Sequence, residues 1–319
     1  MEKPIIVFID WIRHGFSCAN AIKMEGHVGP KNIIKNVIKE GNLGDSRGKY
    51  AADSLLTDLG IKQAESVNKS YTDRIKEYDL ILSSELSRAA ETALVVGKNS
   101  KVKKIYMVPY ISEERSPAAL MLDKDNQARD PKVVKEELEN RFPTTEGYPG
   151  IDISYIERFK GKYNPNTPTS PDFDSFYKRV LPLILSENLK ENRNIYNIAI
   201  VSHNFFIKKI FKSRYGDYLK HPIDNLQINT EVIKIDGNRL TWELPKECAT
   251  NETNYCRIPI HDQNKVIPKP NELKKNDVQR CITLSKEGKK VEQLFNLKGG
   301  YYYDKYMKYK LKYLQLKNQ

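Results

Sequence analysis

Ile5-Ile6-Val7-Phe8-Ile9-Asp10-Trp11-Ile12-Arg13-His14-Gly15-Phe16-Ser17-Cys18-Ala19-Asn20 is the stretch on which the fold turns. Ile5 to Ile9 is a continuous apolar run rich in β-branched residues, the pattern of a strand buried on both faces. Such a strand needs helices on either side of its sheet. The loop that follows offers a cation, an imidazole, a permissive glycine and the hydrogen-bonding side chains of Ser17 and Asn20, a set suited to an oxyanion. Taken alone, Arg13-His14-Gly15 is more often a turn histidine beside a glycine than a nucleophile.

Two further segments repeat the arrangement. Asp79-Leu80-Ile81-Leu82-Ser83-Ser84 predicts a second buried strand, followed by a helix over Glu85 to Gly97 with Leu86, Ala89, Ala90, Ala93 and Leu94 on one face. Arg88 falls in the first turn of that helix, where it and the helix dipole face an anion, or else it is a surface arginine paired with Glu85 or Glu91. Tyr196 to Val201 predicts a third buried strand with Ser202-His203-Asn204 at its exit and a helix beginning at Phe205. Only five histidines occur in the chain. Two of them stand at the carboxyl ends of predicted strands, where open α/β sheets bind ligands.

These blocks, with Leu56-Thr57-Asp58-Leu59-Gly60-Ile61-Lys62-Gln63-Ala64, Ser83 to Ala93 and Ile111-Ser112-Glu113 in the same order, resemble the histidine phosphatase superfamily, which also contains cofactor-dependent phosphoglycerate mutases. The resemblance implies an α/β fold, a three-layer α/β/α arrangement with a mainly parallel central sheet, phosphoglycerate mutase-like, plus long insertions and a C-terminal extension. It implies a metal-independent phosphomonoester hydrolase acting through a phosphohistidine. His14 is then the nucleophile, with Arg13, Arg88 and His203 clamping the phosphoryl group and Ser17, Asn20 and Asn204 as phosphate or substrate contacts. Glu113 best matches the proton donor, with Glu114 as its rival. No cofactor and no metal are expected. A mutase-type phosphotransferase and a non-catalytic phosphate-binding protein are the alternatives.

The residues themselves add detail. Phe16 places an aromatic ring near His14, where it either favours an apolar or aromatic leaving group or packs the loop. Thr57 reads as the N-cap of a helix through Ile61, Ala64 and Val67, with Gly60 and Gln63 as packing or surface positions. Lys104 to Val108 reads as a strand. Ile228 to Ile235 and Leu240 to Leu244 read as a hairpin around Asp236-Gly237-Asn238.

Residues 1–245 are expected to form the phosphatase-like domain, with insertions at about 22–55 and 115–171. Loops of that length serve as lids or binding segments, or are disordered. Arg115, Lys124, Arg129 and Arg141 are candidate substrate contacts there, against the simpler reading as surface charge. Residues 246–298 read as an extension wrapping the domain or a linker. Residues 299–319 read as a basic amphipathic helix, for a partner groove, a membrane surface or an acidic polymer, or docked on its own domain. That tail resembles the Tyr/Lys-rich C-terminal segments of giant DNA virus proteins.

The 319 residues, 39% of them hydrophobic, suffice for a full α/β core. Of the net charge of +12, the segment from Lys246 onward carries +8, so the catalytic portion is only mildly basic and a nucleic acid is not demanded as substrate. A phosphorylated small molecule or phosphoprotein is expected instead. The four cysteines, Cys18, Cys248, Cys256 and Cys281, show no metal-ligand spacing. With neither signal peptide nor transmembrane-length run, this favours a soluble protein in a reducing, cytoplasmic compartment, the host cytoplasm or virion if viral. Cys18 reads as a packed thiol, or an oxidisable one.

Overall fold

The computed structural model describes residues 4–23, 53–113, 128–164, 166–167, 171–188, 193–219, 223–236, 239–248, 256–270, 275–277 and 279–281. Most of the first insertion, Glu114, Arg115, Lys124 and the 299–319 tail lie outside them.

In chain order the elements are β1 (Ile5–Arg13), α1 (Cys18–Lys23), α2 (Asp58–Ser70), α3 (Thr72–Lys76), β2 (Leu80–Ser84), α4 (Ser87–Val96), β3 (Lys104–Val108), α5 (Pro131–Arg141), β4 (Gly150–Asp152) and α6 (Ser154–Arg158). A helical stretch follows as α7 (Phe173–Ser175), a π-turn (Phe176–Val180) and α8 (Leu181–Asn188). The chain continues with β5 (Ile195–Ser202), α9 (Asn204–Tyr215), β6 (Ile228–Asp236), β7 (Arg239–Glu243) and α10 (Ile260–Val266). The strands form one seven-stranded sheet in the order β4-β3-β2-β5-β1-β6-β7. The first five in that order are parallel, whereas β6 and β7 run antiparallel to their neighbours.

The two faces follow from the period of two along a strand. Val7, Ile9, Trp11, Leu80, Leu82, Ile198 and Ile200 face one core with Phe176, Ile184, Phe206 and Ile210. Ile12, Ile81, Ile105, Ala199 and Val201 face the other, against Ala64 and Val67 of α2, Ala93 of α4 and Leu138 of α5. This is the mainly parallel, helix-covered sheet that the buried apolar runs predict. β1 continues past its apolar run to Arg13 because Asp10, which faces the second core, is satisfied there. Its carboxylate accepts from Arg74 Nε and Nη2 at 2.6 Å each, from the Tyr78 hydroxyl at 2.6 Å and from Thr230 Oγ1 at 2.7 Å.

The stretch read as an insertion at 115–171 holds more order than a lid. It supplies α5, α6 and the edge strand β4, which pairs with β3 through Lys104 to Tyr106. The extension packs on the domain, with Ile258, Gln263, Ile267 and Cys281 buried. Gln63, read as a packing or surface position, donates from Nε2 to Pro268 O at 2.7 Å.

Of the two readings of Cys18, the packed free thiol is overturned and the oxidisable one agrees with the structure. Cys18 is bonded to Cys281, across 263 residues, and Cys248 to Cys256. Spacing along the chain could not show this, because Cys281 reaches Cys18 only when the extension folds back over α2 and α4. The cysteine argument for a reducing compartment falls with it, since persistent disulfides belong to oxidising surroundings. Among the described residues no helix is long and apolar enough to cross a membrane.

Candidate active site

The register of β1 on β5 sets Arg13 opposite Ser202. His14 and His203 therefore leave neighbouring parallel strands side by side, with ring centroids 5.1 Å apart. The His14 N–H donates to Ser202 O at 3.0 Å, and Asn225 Nδ2 donates to His14 O at 2.8 Å. His14 Nδ1 lies 2.8 Å from Gly15 O. A carbonyl only accepts, so Nδ1 carries the proton and Nε2 keeps its lone pair.

That lone pair meets Arg88. β2 ends at Ser84 and α4 begins at Ser87, so Arg88 stands in the first helical turn at the same sheet edge. Its Nε donates to His14 Nε2 at 3.2 Å, and its Nη2 lies 3.3 Å from His203 Nδ1. With 3% exposure, Arg88 is not the surface arginine of the simpler reading. Its helix is held by Asp53, buried and in the left-handed backbone region at φ 51°, whose carboxylate accepts the N–H and hydroxyl of Ser87. Arg129 joins them, donating from Nη2 to Ser87 Oγ at 2.9 Å and from Nη1 to Glu137 at 2.8 Å. It thus buttresses α4 and is no free surface charge. Arg141 pairs with Glu137.

His203 has one arrangement open to it. Guanidinium nitrogens donate, so Nδ1 accepts from Arg88, and Nε2 carries the proton that goes to Ser84 Oγ at 2.9 Å. Burial first, then Arg88, His14 and Arg13, holds its pKa well below that of free imidazole, so the ring is neutral. In the unfolded chain the ring takes a proton as pH falls through about 6.5, whereas in the folded chain it does not. Stability contributed by the neutral ring is therefore lost as pH falls below that value, at up to about 1.4 kcal/mol per pH unit. Urea unfolding between pH 7 and pH 5 is expected to show this slope in the native chain and its loss in His203→Gln. Equal slopes would show that the histidine is not held neutral.

The other candidates divide. Arg13 donates from Nη1 to Ile223 O, while its Nε is buried without a hydrogen-bond partner. Burial lowers its pKa, opposed by the charges of Glu113 and Asp224. Glu113 is thus close to the cationic cluster, and its Oε1 accepts from the Phe205 N–H at 3.2 Å. Asn204 turns its Oδ1 to the Ile223 N–H at 3.0 Å, fixing the carbonyl on which Arg13 rests. Ser17 and Asn20 are bonded to each other, Ser17 Oγ donating to Asn20 Oδ1 at 3.1 Å. Phe16 is 2% exposed, so of its two readings the packing one holds.

Supporting residues come from positions the sequence reading gave no role at the loop. Gln63 Oε1 accepts the Phe16 N–H at 2.9 Å, and Thr92 Oγ1 accepts the Gly15 N–H at 3.0 Å. A buried side chain that satisfies a loop amide leaves no periodic signal. Gly60, read as a packing or surface position, packs: a Cβ there would lie 2.2 Å from Phe16 O, so only glycine lets α2 approach the loop. Thr57 caps α2 as expected, accepting from the Gly60 N–H at 3.0 Å.

Residues 42–116 match the histidine phosphatase superfamily, branch 1. The superfamily model takes in Arg88 and Glu113 and stops short of both His14 and His203. Among solved structures, the chain is similar to phosphoglycerate mutase from Bacillus anthracis, at 15% identity and a TM-score of 0.40, covering 79% of this chain and 96% of that one. It is similar to the alpha-ribazole phosphatase from Shigella flexneri, at 21% and 0.37, covering 75% and 95%. A third is phosphoserine phosphatase from Entamoeba histolytica, at 20% and 0.35, covering 77% and 99%. No curated protein matches the chain.

Proposed function

We propose that this chain is a phosphomonoesterase of the histidine phosphatase type that works through a phosphohistidine on His14. The observation that carries the reading is Arg88, whose guanidinium spans 3.2 Å to His14 Nε2 and 3.3 Å to His203 Nδ1. One arginine touching an unprotonated imidazole nitrogen and a second neutral imidazole marks out a space edged by donors, with the orphaned Nε of Arg13 as another. A phosphoryl group with three charged oxygens fits that chemistry.

His14 Nε2 attacks phosphorus in line, forming an N–P bond as the ester P–O bond breaks. The departing electron pair stays on the leaving oxygen, which takes the proton of the Glu113 carboxyl. Water then attacks the phosphohistidine and gives its proton to the Glu113 carboxylate. The N–P bond breaks back to neutral imidazole, and inorganic phosphate leaves. Arg13 and Arg88 neutralise the equatorial oxygens throughout, the task a metal ion performs elsewhere, and the neutral His203 holds the Arg88 guanidinium in place through Nδ1.

The test is phosphate release from p-nitrophenyl phosphate and a panel of metabolite phosphates in EDTA, with alkaline quenching of 32P-labelled substrate to retain phosphohistidine. Release that persists with chelator, and base-stable label on native protein but not on His14→Ala, is the expected result. Release that stops on chelation, or that is equal in His14→Ala, would sink the proposal.

A further inference from the structure

Helix α9 carries a residue that its packing does not explain. Phe206, Ile207, Ile210 and Phe211 are buried against the sheet, which accounts for the apolar face of the helix. Phe205, beside them, is 60% exposed, the most exposed large apolar side chain among the described residues. Leaving a phenyl ring in water forgoes much of what burial would contribute.

Its position is not arbitrary. Phe205 is the second residue after His203, and its N–H is bonded to Glu113 Oε1 at 3.2 Å. The backbone of Phe205 is thereby fixed beside the carboxyl assigned above to the leaving oxygen. In-line displacement sets that oxygen on the side of phosphorus away from His14 Nε2. Whatever the oxygen bears must leave the buried cluster past Glu113, and so past Phe205. Arg88, His14 and His203 are all at 3% exposure or less, whereas Phe205, two residues after His203, reaches solvent.

We propose that Phe205 is a specificity-determining residue whose ring forms one wall of the leaving-group site, selecting phosphomonoesters with a planar aromatic leaving group, aryl or heteroaromatic, over those of small polar alcohols. This rests on the phosphomonoesterase reading. The selectivity that sequence suggested for Phe16 is thereby assigned to a different ring.

The test uses binding, which does not depend on turnover. Phenylphosphonate and methylphosphonate are titrated calorimetrically into native protein, Phe205→Ala and Phe205→Tyr, alongside kcat/KM for phenyl phosphate and glycerol phosphate. The native chain is expected to favour the aryl ligand by about tenfold, the size of one aromatic contact. Phe205→Ala should remove that ratio, Phe205→Tyr should keep it, and melting temperatures should stay close because the ring is exposed. Equal affinity for the two phosphonates in native protein, or a ratio that survives Phe205→Ala, overturns the assignment while leaving the phosphomonoesterase reading intact. A native chain that binds neither phosphonate and releases no phosphate overturns both.

Discussion

Replacing Arg88 by alanine is expected to lower kcat by about 10³- to 10⁵-fold, the range found when an arginine is removed from the transferring phosphoryl group. The magnitude comes from charge developing in a site where Arg88 is 3% exposed and water cannot take its place. Lysine should recover little. Its single ammonium cannot reach His14 Nε2 and His203 Nδ1 together, as the fork of Arg88 does at 3.2 and 3.3 Å. Single-turnover kinetics of the two variants, with His14→Ala as the floor, would decide this. An Arg88→Lys variant within threefold of native would show that the bridge between the imidazoles carries no catalytic weight.

Cys281→Ser is expected to lower folding stability by roughly 4 to 5 kcal/mol, because the Cys18–Cys281 bond closes a loop of 263 residues in the unfolded chain. That corresponds to a fall of roughly 10 °C in Tm. The loss should be larger than the contribution of Cys248–Cys256, which spans only eight residues. Around Cys281 the extension also makes polar contacts, the Arg280 N–H donating to Asp58 Oδ2 at 2.9 Å and its guanidinium pairing with Glu91 of α4. Scanning calorimetry with and without reductant is the measurement. Reductant should lower the native Tm by at least the full amount, yet lower that of Cys281→Ser only by the smaller share of the second disulfide. A Tm unmoved by Cys281→Ser would show that the bond does not restrain the native chain.

The parts of the fold legible in the sequence are those with strong periodicity. Lys104 to Val108 was delimited to the residue, and the apolar runs before His14 and His203 gave the two strands whose adjacency makes the site. β4 was not legible. Gly150–Asp152 is three residues long, an edge strand too short to carry an alternating pattern. At the site, the residue types that bond one another were visible as motif members, whereas Gln63, Thr92, Asn225 and Asp53 were not given their roles. Each acts on a backbone group distant in the chain, and no local pattern encodes a partner 77 residues away, as between Thr92 and Gly15. The Cys18–Cys281 bond was illegible for the same reason, its partners lying 263 residues apart.

The order in which the chain leaves a ribosome bears on β1. This strand is made before the other strands of its sheet, yet it lies between β5 and β6, so neither edge of its backbone has its partner until residues 195–202 and 228–236 have emerged. Until then an apolar strand with two open edges, Ile5 to Arg13, waits in the nascent chain, the condition in which strands pair with the wrong neighbour. His14 would be present early and inert, 74 residues from Arg88, which is itself 115 residues from His203. A synthesis product cut short before β5 would carry His14, Arg13 and Arg88 but lack both His203 and the strand beside which β1 lies, and would be a substrate for chaperones.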